Sequence, residues 1–213
     1  MKIKLVFVCI FIGLLSGCAL STPNVSKQYS LDSNSKSGLL VGSIKYHGSL
    51  SGYRVFFKGV DNQEKGFFEA GAGTMLIPIP PKSDYSEVNG KLQVVELPAG
   101  EYVIERWSVA SGYAHVGQTK PFSIGFKIEP GKATYIGAFV FTVTDTMGLT
   151  VTGARVDFKE QYSEDIEVLR RDYQNLKNTD VYLGIEPDFV KENVGGESST
   201  QWNIPWVYRP VGG

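Results

Sequence analysis

Cysteine and histidine are nearly absent from this 213-residue chain, with two of each. Neither histidine, His47 or His115, has a second one at i+2 or i+4 or a neighbouring cysteine, so the ligand spacing of a zinc site is missing. No G-x-S-x-G occurs, which removes the nucleophile elbow. Ser33-Asn34-Ser35-Lys36 satisfies S-x-x-K, but neither S-D-N nor K-T-G accompanies it. Gly71-Ala72-Gly73 lacks the third glycine of a phosphate loop and leads into the proline-rich Met75–Pro81, which cannot open a helix. The carboxylates Glu160, Glu164, Asp165 and Glu167 lack D-x-D-x-D-G spacing for calcium and read as the solvated start of a helix. No catalytic residue, metal or cofactor is therefore expected, and the chain reads as a non-enzyme. A glycosidase-like carboxylate pair stays open, because Asp and Glu can meet in space from anywhere in the chain. Excess charge is missing too: the net charge of −1 gives no basic face for nucleic acid.

What is present favours a folded β protein. Hydrophobic residues make up 42% and charged residues 20%, which excludes wholesale disorder. The 24 glycines, 11 tyrosines and 12 phenylalanines suit turns and pleated faces.

The start of the chain has its own pattern. Lys2 and Lys4 precede Leu5–Leu15, eleven residues without a charge. That is the positive start and apolar run of a secretory signal, too short to span roughly 30 Å of hydrocarbon. Leu15-Ser16-Gly17-Cys18 follows and resembles the lipobox of bacterial lipoproteins. The resemblance implies cleavage of residues 1–17 and a lipid, including palmitate-type acyl chains, on Cys18. Two or more chains suffice for stable anchoring. Cys9 would leave with the signal, so Cys18 would be the only cysteine of the mature chain and no internal disulfide could form. Processing would leave 19 basic against 22 acidic residues. If the organism is Gram-negative, Ala19 rather than Asp after the cysteine implies, by the same resemblance, the outer membrane, facing the periplasm.

Residues 18–37, rich in Ser, Asn, Lys and Thr, read as the lipidated cysteine and a flexible tether of roughly 25 Å reach. Residues 38–183 read as a mainly β domain: an antiparallel β-sandwich of about eight or nine strands with one amphipathic helix packed on it. Phe122, Ile124, Phe126 and Ile128 alternate with Ser123, Gly125, Lys127 and Glu129, one dry face and one wet. Pro130-Gly131 turns the chain into Ala133–Thr144, with Tyr135, Phe139, Phe141 and Val143 expected on one side. Leu92–Leu97, Pro98-Ala99-Gly100 and Tyr102–Val109 form another hairpin. Further strands are expected at Leu39–Tyr46, Tyr53–Lys58, Gly66–Ala70, Thr74–Ile79 and Leu149–Lys159. A helix is expected at about 163–177, with Ser163 as its cap and Ile166, Leu169, Tyr173 and Leu176 as its apolar stripe.

Leu97-Pro98-Ala99-Gly100-Glu101-Tyr102 and Ile128-Glu129-Pro130-Gly131-Lys132, leading to Tyr135-Ile136-Gly137, resemble the small transthyretin-like and carboxypeptidase-regulatory-like sandwich domains. That resemblance implies a structural or binding module without chemistry of its own. Residues 184–213 read as an irregular tail in which Trp202, Trp206 and Tyr208 are candidate interaction residues. The expected function is a membrane-anchored cell-envelope lipoprotein, held by lipid on Cys18, that binds or braces another envelope component. The alternative is a ligand- or glycan-binding module using the aromatics of the tail.

Overall fold

The computed structural model describes residues 20–71 and 82–203. Their strands are β1 (Leu20–Ser21), β2 (Ser37–His47), β3 (Gly52–Gly59), β4 (Lys65–Ala70), β5 (Asn89–Pro98), β6 (Gly100–Ser111), β7 (Ala114–Gln118), β8 (Ile124–Ile128), β9 (Ala133–Met147), β10 (Thr150–Lys159), β11 (Val181–Leu183), β12 (Val190–Lys191) and β13 (Ser198–Trp202). One helix, α1 (Tyr162–Asp172), is followed by a single 3-10 turn at Gln174–Leu176. The protein is mainly β: two packed sheets of about six strands each, largely antiparallel, with one helix. The first sheet runs β1-β4-β3-β6-β7-β13 with β8 also on β6, and the second runs β12-β10-β9-β2-β5 with β11 on β9. Three pairs are parallel: β1 with β4, β2 with β9, and β11 with β9.

Alternation builds the main core. Leu40, Ile44 and Tyr46 of β2 meet Tyr53, Val55 and Phe57 of β3, Tyr102, Ile104, Trp107 and Val109 of β6, and Phe139 and Phe141 of β9. Phe126 is buried there while Lys127 beside it is exposed. The Tyr102 hydroxyl donates to the Pro98 carbonyl four residues back at 2.8 Å, the tyrosine corner that recurs in Greek-key sandwiches. Tyr53 makes the same contact to Ser49.

The second sheet is dry on both faces. Leu39 and Val41 of β2, Leu92 and Val94 of β5, and Tyr135 of β9 pack against Ile166, Leu169, Tyr173 and Leu176. The expected apolar stripe is therefore the packed face, giving three layers. The helix differs from expectation at both ends. Ser163 lies inside α1; the N-cap is Gln161 and no side chain caps it. At the other end Tyr173 leaves helical geometry, with ψ 84°, so the helix stops at Asp172.

Tyr135 also departs from the expected face. It lies opposite Val41 while Ala138 lies opposite Ser43, so β9 carries an extra residue between them. Gly137, at φ +101°, sits in that bulge, and a Cβ there would come within 2.6 Å of the Phe158 ring. One inserted residue reverses alternation. Tyr135 consequently faces the helix, while Phe139 and Phe141 face the first sheet.

Residues 20–36, expected as a tether, run along the domain. Thr22 N–H donates to the Phe67 carbonyl at 3.0 Å, and Val25 N–H to the Val94 carbonyl at 2.8 Å. The Asn24 side chain accepts from Val94 N–H at 3.1 Å and donates to the Leu92 carbonyl at 2.7 Å. The segment thus straps the first sheet at β4 to the second at β5, covering a strand edge that would otherwise be open. Lys27 fastens it to the helix, 3.0 Å from Asp172 and 4.2 Å above the Tyr173 ring. Low composition in large aliphatics hid this, because the docking groups are Asn24, Val25, Lys27, Tyr29 and Leu31.

Arg171 beside Asp172, with Lys27 adding to it, holds that carboxyl down at about 2. A depressed acid stabilises the fold above its unfolded value near ~4 and loses that contribution as the pH falls toward the folded value. The protection factor of the Val25 amide should therefore fall between pH 4 and about 2 more than that of Ile44, in hydrogen exchange corrected for intrinsic rates. In Asp172→Asn the extra fall should vanish; its persistence would place the pH sensitivity elsewhere.

Thr74–Ile79, expected as a strand, falls outside the described residues. The strands not foreseen, β1, β7, β11, β12 and β13, are each five residues or fewer, too short for a period to register. Two of them, β12 and β13, lie in the supposed irregular tail, where Val194 is also buried and accepts from Trp107 Nε1 at 2.7 Å.

Candidate functional site

Three places among the described residues concentrate polar or aromatic chemistry. The first lies between β2 and α1. Ser43 and Lys45 share the helix-facing side of β2 with Leu39 and Val41, and Asp165 sits in the first turn of α1, one turn before Leu169. Asp165 is 0% exposed and Lys45 1%. Lys45 Nζ lies 3.0 Å from Asp165 Oδ1 and 2.8 Å from Glu164 Oε2. The hydroxyls of Ser43 and Tyr135 donate to Asp165 Oδ2 at 2.8 Å each, and Tyr85 donates to Oδ1 at 2.7 Å. Tyr135 in turn accepts from the Gln161 amide at 3.0 Å, which fixes its own proton toward Asp165.

Burial pushes the Asp165 carboxyl above its ordinary value, against the pull of Lys45, Tyr85 and Ser43. Burial, and then the Asp165 charge, push the phenols of Tyr85 and Tyr135 strongly upward, so both remain donors. All four groups around the carboxylate are donors and fill its lone pairs, and the helix N-terminus adds favourable potential. Such a carboxylate has no free lone pair to take a proton from a substrate and no solvent path to one. The cluster's chemistry is structural: it locks α1 onto the second sheet. The expected solvated helix start is thus corrected at Asp165, which faces inward because it shares the stripe of Leu169 and Tyr173. That spacing, with a lysine on the apolar face of β2, was the readable signal.

The second place is a polar trough of about 450 Å³ on the outer face of the first sheet, lined by Arg54, Phe56, Arg106, His115, Gln201 and Asn203 among others. The Arg106 guanidinium stacks 3.5 Å over Phe56 and has no ion pair among the described residues. Arg54 is held by Glu69 at 2.8 Å.

The third is an apolar cleft of about 740 Å³ where Phe158, Phe189, Ile185 and Leu183 meet Ile124. Lys191, opposite Phe158 on the edge strand β12, points a charge toward this apolar side, a device that guards strand edges.

Of the residues singled out by sequence, Trp202 ends β13 and is 43% exposed. It is not among the residues lining the trough, although Gln201 and Asn203 are. Cys18, Trp206 and Tyr208 lie outside the described residues. His47 is exposed at the end of β2 in the second sheet, and His115 is half-buried on β7 in the first, so the two histidines lie on different sheets. No group of three His, Cys, Asp or Glu side chains capable of holding a metal occurs among the described residues.

Fold and sites together define a mainly β protein of two packed sheets with a helix on one face. No protein-family model matches the chain, and neither a curated protein nor a solved structure is detectably similar to it.

Proposed function

We propose that this is a membrane-anchored, non-enzymatic cell-envelope lipoprotein whose two-sheet domain binds or braces another envelope component. The observation that carries the proposal is the charge-free run Leu5–Leu15 leading directly into Leu15-Ser16-Gly17-Cys18. Two structural features support it. No helix among the described residues is long and apolar enough to cross a membrane; the proposed attachment is lipid on Cys18. The buried Lys45–Asp165 cluster is closed and fully paired, which suits a bracing role. A module of the transthyretin-like or carboxypeptidase-regulatory-like kind agrees with the hairpins at Pro98-Ala99-Gly100 and Pro130-Gly131. A second reading, glycan binding, is favoured by exposed Trp202 next to the polar trough.

The test is metabolic labelling with palmitate. The wild-type chain should incorporate label, and Cys18→Ala should lose it entirely while accumulating uncut or soluble protein. Equal labelling of both would refute the anchor. Titration of the lipid-free domain with peptidoglycan fragments, read by tryptophan fluorescence and repeated in Trp202→Ala, separates the glycan reading.

A further inference from the structure

We propose that the outer face of the first sheet, next to β1 and β4, is the membrane-facing surface, contacting anionic lipid headgroups. This rests on the lipid-anchor reading and adds an orientation to it. Cys18 lies three residues before Ser21, so the anchored thioether is at most about 10 Å from β1 even in a fully extended chain. Because β1 is paired with β4 (Leu20 with Gly66, Ser21 with Phe67) and Thr22 continues the pairing, the chain leaves no slack between lipid and domain. The helix layer lies on the far side of the second sheet and cannot reach the bilayer at the same time.

The surface beside the anchor has matching chemistry. Lys58 and Lys65 are paired across β3 and β4, as are Phe56 and Phe67, and Arg106 lies opposite Phe56 on β6. Arg106 stacks on Phe56 at 3.5 Å, and Arg54 lies 5.1 Å from the Phe67 ring centre. Of the acids on this face, Glu69 and Glu105 are taken up by Arg54 and Lys58; Glu101 on β6 is exposed and has no ion pair among the described residues, against the two cations, Lys65 and Arg106, that have none either. Cations seated on aromatic rings suit the headgroup layer, where rings lie at the interface and Lys or Arg meets phosphate.

With the thiol of Cys18 acylated, a newly introduced cysteine is the one free thiol, so single positions can be labelled. The mature lipidated chain carrying Lys65→Cys or Glu167→Cys, each labelled with bimane, is reconstituted in phosphatidylethanolamine–phosphatidylglycerol vesicles containing a nitroxide-headgroup lipid. The Lys65 position should lose fluorescence about twofold and the Glu167 position almost none, with the Lys65 loss shrinking by about half when Lys58→Glu and Arg106→Glu are added. Equal quenching at both positions would overturn the orientation while leaving the anchor intact. Quenching at position 65 that ignores the two charge reversals would overturn the headgroup contact. Chains that fail to float with the vesicles would overturn the anchor, and the orientation with it.

Discussion

Replacing Lys45 by methionine should destabilise the domain by about 3–5 kcal/mol, the usual consequence of leaving a buried carboxylate without its cation. Methionine fits the space of the lysine stem, so little of the loss comes from a cavity. Glu164 is half exposed and can turn to water; Asp165, at 0% exposure, cannot. Adding Asp165→Asn should recover part of the loss, because a neutral amide still accepts from the hydroxyls around it. The pH dependence has a definite sign. With the cation gone, the folded carboxyl holds its proton to higher pH than the unfolded one. The folded state then binds more protons, and the deficit of the variant should shrink as the pH is lowered from 7 toward 4. Urea unfolding at several pH values measures both effects. A loss below about 1 kcal/mol at pH 7 would mean that Asp165 takes up a proton at no great cost, and that the ion pair contributes little.

Gly137→Val should cost about 2–6 kcal/mol. Left-handed geometry for a β-branched residue accounts for about 1–3 of this, and forcing methyls against the Phe158 ring for about 1–3 more. Gly117→Ala is the control: its Cβ would meet nothing closer than the Trp107 carbonyl at 3.8 Å, so the change should stay within about 0.5 kcal/mol. Thermal unfolding of the two variants side by side gives the comparison. If Gly137→Val melts with the wild type, the bulge does not determine the register of β9. The substitution also tests the helix-side cluster, since the extra residue is what turns Tyr135 toward Asp165. Loss of the bulge should expose the Tyr135 phenol to titration, followed by its ultraviolet difference spectrum.

Period-two patterning placed the long strands within one to three residues of their ends, because each carries enough alternation to outweigh local noise. It placed Phe126, Phe139 and Phe141 in the core correctly. It failed at Tyr135, where a single bulge reverses parity; Tyr135-Ile136-Gly137 offered a glycine in mid-strand as its only warning. The helix-side cluster was hidden for a different reason. Lys45 and Asp165 are 120 positions apart, and either alone reads as a surface charge. Only the place of Asp165 one turn before Leu169, together with Lys45 on the same face as Leu39 and Val41, could have linked them. Residues 20–36 were misread because composition reports how much apolar surface a segment has, whereas this one docks through Asn24, Lys27 and backbone hydrogen bonds.

The centre of the second sheet has a consequence for the order of events in synthesis. Leu39 pairs with Ala133 and Tyr46 with Phe141, so β2 must wait for more than ninety later residues before its parallel neighbour exists. Hairpins such as β3–β4 and β9–β10 can close locally, but the sandwich cannot. Chains dominated by such distant pairings fold in milliseconds to seconds, orders of magnitude more slowly than helical bundles. A nascent chain of this design stays unfolded until most of it has been made. For the export proposed above, that delay suits a translocation channel, which accepts an extended polypeptide rather than a finished domain.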